Sequence, residues 1–466
     1  MGDKQRTLKA SVKLTGVGLH TGEKVNIEIC PAPDNHGYKF QRVDLDGQPT
    51  INADADLVVS TERGTTLEQN GARVYTTEHV LAALYGMEVD NALIKIDNPE
   101  IPIMDGSAWP FVQAIESVGY EEQTSERNYF YLNEVIPWED TEKGIEILAV
   151  PDSNYRITVM VDYKSPVLGT QHASMYNIGE FKKEISTCKT FVFLRELETL
   201  ANLGLIKGGD LDNAIILVER ENVEQEELDR LATLLGKEGL KVDINGIGTL
   251  NNYKLKFENE PARHKLLDIV GDLALVGRPL KMHILGARPG HSGNTRFAKV
   301  LKEQIKKQER APKFFDLTKD PLYDINDIEK MLPHRYPFLL VDKVMEIGEE
   351  SIVGVKNVTM NEPMFQGHFP GNPVFPGVLQ IEAMAQCGGI FSLSKVEDPH
   401  LYSTYFMKID NVKFKKKVLP GDTLVFELHL LSPMRRGLVN MGGKAYVNGH
   451  VVMEAEMLAQ VVKDKE

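Results

Sequence analysis

Two groups of residues in this chain have the types and spacing of catalytic machinery. The first is Glu78-His79 together with His264, Asp268 and the loop Gly290-His291-Ser292-Gly293-Asn294. The second is Gly367-His368-Phe369-Pro370-Gly371, followed by Glu382. His264 and Asp268 stand four apart in a helical pattern, so both side chains leave one face and could grip one ion. That spacing alone also fits a solvated helix face, and Glu78-His79 alone also fits an acidic helix start beside a satisfied buried histidine. Taken together, two His and one carboxylate are the donor set of a catalytic zinc site, which leaves a fourth position for water. Zinc brings the pKa of such a water to about 7. Glu78, next to a ligand, is placed to take its proton, and His291 to protonate a departing amine.

The second group needs no metal. Pro and Gly are dense from Gly367 to Gly377, which holds the loop fixed as it enters the apolar helix Val378 to Gln386. Helix starts present free amides, and the Gly377 amide could polarise a carbonyl. Glu382 inside that helix is costly unless it is paired or working. A neutral His368 could abstract the α-proton of a thioester while a protonated Glu382 delivers a proton to a departing β-hydroxyl. Such a division of labour needs a Glu pKa raised by burial. The plainer alternative is a capped loop histidine and a helix-face Glu reaching water at a subunit contact.

The elements that must position these groups follow from periodicity. Strand alternation in Val25–Ile29 and Ala92–Ile96, with helical patterns in Thr77–Leu84 and Trp109–Val118, gives a first α+β domain, residues 1–122. The polar stretch from Glu121 to Asn128 reads as a linker. A similar order then recurs over 129–305, with strands near 144–163, a helix near 191–203, a short strand at Ala214–Val218 and a helix over 262–276. Residues 306–322 read as a second linker. Residues 323–466 hold one long apolar helix, about Gly377 to Leu393, among alternating strands, which predicts a sheet wrapped around a buried helix. The fold class is α+β throughout.

Bulk properties limit the partners. With 466 residues the chain exceeds a single core, and 42% hydrophobic with 26% charged content is that of ordinary globular protein. No apolar run is long enough to span a bilayer and none follows the first residues, so a cytoplasmic protein is expected. Three cysteines, Cys30, Cys188 and Cys387, without C-x-x-C spacing, exclude a thiolate zinc finger. A net charge of −14 argues against nucleic acid. Lys413, Lys415, Lys416 and Lys417, with Arg435 and Arg436, form the one basic cluster, either a solvated strand end or a landing site for an acidic carrier protein.

Residues 1 to about 305 resemble the zinc-dependent UDP-3-O-acyl-N-acetylglucosamine deacetylases of lipid A biosynthesis. The motifs are Thr15 to Gly22, Thr77-Glu78-His79, Glu100 to Ser107, Lys189-Thr190-Phe191, Arg263 to Asp268 with Gly271-Asp272, and Gly290 to Asn294. The resemblance implies His79, His264 and Asp268 as zinc ligands and Glu78 as base. It implies a protonated His291 held by Asp272, Lys265 and Phe191 on the UDP-sugar lipid substrate, and Thr190 donating to the oxyanion. The stretch 221–251 looks longer than the family's usual connection.

Residues 323–466 resemble the (3R)-hydroxyacyl-[acyl-carrier-protein] dehydratases of hotdog fold. The motifs are Leu332 to Asp342, Asn361 to Gly371 and Pro376 to Gln386. This implies a cofactor-free His368/Glu382 pair formed between two subunits, acyl carrier protein as partner, and a dimer or a hexamer made of three dimers. Glu rather than Asp at 382 resembles the branch that dehydrates without isomerising. The sequence thus predicts two enzymes in one polypeptide, with an acyl-binding regulatory module or a thioesterase as the alternatives for the rear one.

Overall fold

The computed structural model describes residues 3–202, 206–210, 212–219, 224–234, 248–250 and 254–464. They form two compact units, Met1–Ile305 and Lys306–Glu466. Of the long connection expected at 221–251, only 224–234 and 248–250 fall within the described residues; the rest lies outside them.

In the first unit the same strand plan is built twice. In the first half, Val12–Val17, Lys24–Pro31, Ala92–Ile96, Tyr38–Arg42 and Thr50–Asn52 make one five-stranded sheet, in that order. In the second, Ile136–Asp140, Ile145–Pro151, Leu280–Ala287, Tyr155–Asp162 and Thr170–Met175 follow the same order, with the short strand Phe130–Tyr131 added beside Leu280–Ala287 as a sixth. Each places the last strand of its half in the centre, parallel to one neighbour and antiparallel to the other. Alternation drives this: Leu280–Ala287 buries every second residue, so one sheet face is apolar.

The helices pack on those faces. Helix α1, Glu78–Gly86, precedes the central strand of the first half, and α2, Trp109–Val118, follows it. In the second half α3 (Leu194–Asn202) and α4 (Gln225–Leu234) belong to an insertion, α5 is Glu260–Ala274, and α6 is His291–Arg310. All nine residues of α1 are buried, as its apolar run Val80–Leu84 requires of a helix covered on every side. The insertion is a β-α-β unit in which Phe191–Phe193 and Ile215–Val218 pair in parallel across α3.

Several expectations need correction. The halves 1–122 and 129–305 are not separate domains, because one continuous core contains buried residues of both. The polar stretch 121–128 is not a linker: Tyr120–Glu126 is a strand paired antiparallel with Lys4–Leu8. A two-stranded ribbon exposed to water needs no apolar run, which is why its pattern misleads. Residues 191–193 are strand rather than helix, and the helix expected over 262–276 begins at Glu260.

In the second unit, Lys343–Ile347, Ser351–Asn357, Thr423–Leu430, Leu438–Val447, His450–Lys463 and Tyr402–Phe414 form one antiparallel sheet in that order. The short α7, Ile325–Met331, opens with Asp324 in a capping box. Helix α8, Gly377–Leu393, lies against the sheet, with Ala383, Met384, Cys387, Ile390 and Phe391 in the core. This is the wrapped-helix architecture expected from the sequence. The segment read as a linker, 306–322, is not a loose tether. Its first residues continue α6 to Arg310. Lys313 donates its N–H to the Gly449 carbonyl at 2.8 Å, and Phe315 packs on Tyr446 with ring centroids 5.0 Å apart. Gly449 has φ +75°, and a Cβ there would stand 2.4 Å from the Lys313 carbonyl oxygen, so the strap needs glycine beneath it.

Candidate active sites

The first cluster is built where α1 meets α5. Helix α1 presents Glu78 and His79 from its first turn, and α5 presents His264, Asp268 and Asp272 at four-residue steps from one face. All five are buried. Ligand-type atoms of His79, His264 and Asp268 lie within 4.8 Å of one another. The Nε2 atoms of His79 and His264 stand 3.9 and 3.4 Å from Asp268 Oδ1. That oxygen is buried without a hydrogen-bond partner among the described residues. An orphaned carboxylate oxygen facing two imidazole nitrogens is an arrangement that a shared cation would satisfy, so this donor set fits zinc.

The surroundings keep each donor in its ligand form. His264 Nδ1 lies 3.1 Å from the Cys188 carbonyl, which turns Nε2 towards the cluster. Burial, aided by the neighbouring His264, lowers His79 to about 3, and burial likewise lowers His264. Both imidazoles are therefore neutral at neutral pH, as ligands must be. Burial acts to raise Asp268, but Lys265 and the three histidines hold it below the usual carboxylate range. Lys265 Nζ is 2.9 Å from Asp268 Oδ2.

Glu78 and His291 face each other beside these donors, with Glu78 Oε1 3.9 Å from His291 Nε2. Burial raises Glu78 to about 7 despite the pull of His291. A carboxylate of that basicity suits proton abstraction near neutral pH. His291 is the first residue of α6 rather than part of a loop, and its Nδ1 lies 2.9 Å from Asp272 Oδ2. Burial acts to lower His291, but the charges of Asp272, Glu78 and Asp268 outweigh it and raise it to about 10, so the ring is cationic. Asp272 also accepts from Thr65 Oγ1 at 2.6 Å and Asn294 Nδ2 at 2.9 Å. Thr65 in turn donates its N–H to Glu78 at 2.9 Å.

On the other side, Lys265 Nζ stands 5.6 Å from the Phe191 ring centroid. Phe191 meets Tyr163 and Phe193 edge-on, in an apolar patch with Leu168, Ile215 and Leu217. Thr190 lies in the segment between Cys188 and Phe191. Its N–H donates to Gly106 and its carbonyl accepts from Ile215.

In the second unit, His368 Nδ1 lies 2.7 Å from the Val374 carbonyl, so Nε2 is turned away from its own loop. Gly377 opens α8, and Glu382 follows in its second turn. Glu382 Oε1 accepts from Gln386 Nε2 at 3.0 Å and lies 3.7 Å from His334 Nε2. Its side chain keeps 21% exposure in the single chain, so the deep burial expected for it is not reached there. Among the described residues of one chain, no hydrogen bond or ion pair joins His368 to Glu382. The outer strand Tyr402–Phe414 exposes Tyr405, Phe406, Met407, Ile409 and Phe414.

Comparison with known proteins matches both units. Residues 5–232 and 236–303 fit the family model of UDP-3-O-acyl N-acetylglycosamine deacetylase, and residues 332–456 fit the FabA-like domain. The bifunctional enzyme LpxC/FabZ of Bacteroides thetaiotaomicron is 52% identical over 462 residues, covering 99% of this chain and 100% of the relative. Those of Porphyromonas gingivalis and Chlorobaculum tepidum are 48% and 49% identical over 463 and 464 residues, covering 99% of this chain and 100% and 99% of the relatives. The chain belongs to the bifunctional LpxC/FabZ enzymes. It is a hydrolase and a lyase in one polypeptide, and its second unit is a hotdog. Among the described residues, no helix is long and apolar enough to cross a membrane.

Within this LpxC/FabZ chain, the predicted residues of the LpxC unit converge: His79, His264, Asp268, Glu78, His291, Asp272 and Lys265 form one cluster, and Phe191 borders it through Lys265. The residues predicted for the FabZ unit, His368, Gly377 and Glu382, lie on one loop and the helix it enters. Asn294, His334 and Gln386 stand in the sequence motifs without an assigned role, and Thr65 in none of them. Asn294 and Gln386 were within reach, three residues from His291 and four from Glu382. Thr65 was not, being 207 residues from the Asp272 carboxylate it holds.

Proposed function

We propose that the first unit hydrolyses the N-acetyl group of a UDP-3-O-(3-hydroxyacyl)-N-acetylglucosamine, and that the second converts (3R)-hydroxyacyl-[acyl-carrier-protein] to the trans-2-enoyl form. The observation that carries the first half is the convergence of His79, His264 and Asp268 within 4.8 Å, beside a buried Glu78 of pKa about 7. His79, His264 and Asp268 would hold zinc, which would supply Lewis acidity and a nucleophile at neutral pH. Glu78 takes the proton of the attacking water. The Thr190 hydroxyl donates to the developing oxyanion. His291, kept cationic by Asp272, stabilises that charge and then protonates the departing amine. Lys265 and Phe191 hold the sugar-nucleotide lipid.

In the second unit no bound group is needed. His368 Nε2 removes the α-proton, the Gly377 N–H receives the enolate oxygen, and Glu382, steadied by Gln386, protonates the leaving hydroxyl. Since the two side chains do not meet within one chain, His368 faces Glu382 of the partner subunit, in a dimer closed through the exposed outer strand. Three such dimers make a hexamer. The acidic acyl carrier protein lands on Lys416, Lys417, Arg435 and Arg436. We place the enzyme in the cytoplasm.

The test is to assay the purified full chain on both substrates, with and without chelator. Chelation should abolish deacetylation and leave dehydration intact. Deacetylation by metal-free protein would overturn the zinc assignment. Release of free 3-hydroxy acid instead of enoyl product would make the second unit a thioesterase.

A further inference from the structure

Glu260 is fully buried at the start of α5, and no ion pair reaches it among the described residues. Its two carboxylate oxygens accept main-chain N–H groups from two separate segments: Lys189 to Oε1 at 3.0 Å and Lys256 to Oε2 at 2.7 Å. A buried carboxylate with only neutral partners is costly, and the positive end of α5 offsets part of that cost.

What the carboxylate joins is specific. Lys189 lies between Cys188, whose carbonyl orients His264, and Thr190. Neighbouring side chains bolt the same segment to α5 and to the residues just before it. Arg263 donates to the Glu184 carbonyl at 2.9 Å, and Lys256 Nζ donates to the Thr187 carbonyl. From Thr190 onward the chain is tied instead to Gly106 and Ile215. Among the described residues, Lys189 is thus the last whose main chain is hydrogen-bonded to the metal-bearing helix before the chain passes to the insertion, and Glu260 makes that bond.

We propose that Glu260 is a positioning residue for the deacetylase: it clamps the Lys189 main chain to α5, and so fixes where the Thr190 hydroxyl stands relative to His264 and Asp268. Both of its carboxylate oxygens are taken up by main-chain N–H groups. The clamp rests on the reading of Thr190 as the oxyanion donor.

The test is a double-mutant cycle in the full-length chain, E260Q and T190A singly and together, with kcat, KM and zinc content measured for each. The glutamine keeps one acceptor and loses the other, so E260Q should retain stoichiometric zinc and a near-normal KM while kcat falls about 10- to 100-fold. On the T190A background the same change should cost less than about 3-fold, since the group it aims is gone. Equal losses on both backgrounds, or loss of zinc with E260Q, would overturn the clamp. Normal kcat in E260Q with an active wild type would also overturn it and leave the deacetylase reading standing. An inactive wild type, or an unaffected T190A, would instead sink the reading on which the clamp rests. If E260Q does not fold, E260D, which keeps the charge and shortens the reach, is scored by the same cycle. Failure of both to fold would make Glu260 purely structural and end the proposal.

Discussion

Gly271 of α5 lies so close to Glu78 of α1 that a Cβ on it would stand 2.1 Å from the Glu78 carbonyl oxygen. The two helices that carry the proposed metal donors and the proposed base therefore meet through bare backbone. G271A must push them apart, an overpacking that costs about 1–3 kcal/mol. We expect a lower denaturant midpoint together with weaker zinc retention; unchanged stability and zinc content would mean that the joint has slack.

Asp272 accepts three side-chain donors and holds His291 cationic. D272N leaves the shape and removes the charge. Deacetylase kcat should fall by about 10²-fold or more, while zinc content stays at the wild-type level, because Asp272 is not among the proposed donors. Loss of metal in D272N would contradict that division of roles.

His368 and Glu382 should complement between chains. H368A and E382Q homo-oligomers are each expected to lack dehydratase activity. Each mixed dimer regains one intact site of two, so random remixing should restore about a quarter of the wild-type rate. Mixtures with no activity after verified subunit exchange would place both residues in one chain's site. Deacetylation should be unaffected in either variant.

The Lys313–Glu427 contact, 2.5 Å, makes the strap pH-sensitive. Burial acts to raise Glu427, but the Lys313 ammonium and the Tyr446 hydroxyl more than offset it and leave the carboxyl below its ordinary value. A carboxylate lowered in the folded state adds stability above the unfolded pKa of about 4.3, which is lost as pH falls through the folded value. With Lys313 about half exposed, the gain is at most about 1 kcal/mol. K313M should move the Glu427 titration, followed by carbon NMR of its carboxyl, to higher pH; an unmoved curve would remove the pair as the cause.

How much of this was legible in the residues differs by site. His264 and Asp268 could be paired because helical spacing is local, and α8 was readable because its apolar run is long and starts at a Pro-Gly step. Thr65 could not, since its place beside Asp272 depends on how the two halves fold together. The polar strand 120–126 was misread because it pairs at an exposed ribbon where burial imposes no alternation. The doubled sheet order was visible only as a vague recurrence: topology is kept by strand pairing, which many sequences satisfy. Glu260 carries no local sign either, because its partners are main-chain amides and leave no trace in side-chain identity.

The strap through Lys313 and Phe315 bears on where the polypeptide can be divided. Truncating at residue 323, where the resemblance to the second enzyme begins, would strip Phe315 from Tyr446 and leave the Gly449 carbonyl without its donor. A scission just after Arg310, where α6 stops, keeps both with the fragment that needs them. Anyone wishing to study the rear catalyst alone should therefore begin the gene a dozen codons earlier than its chemistry suggests.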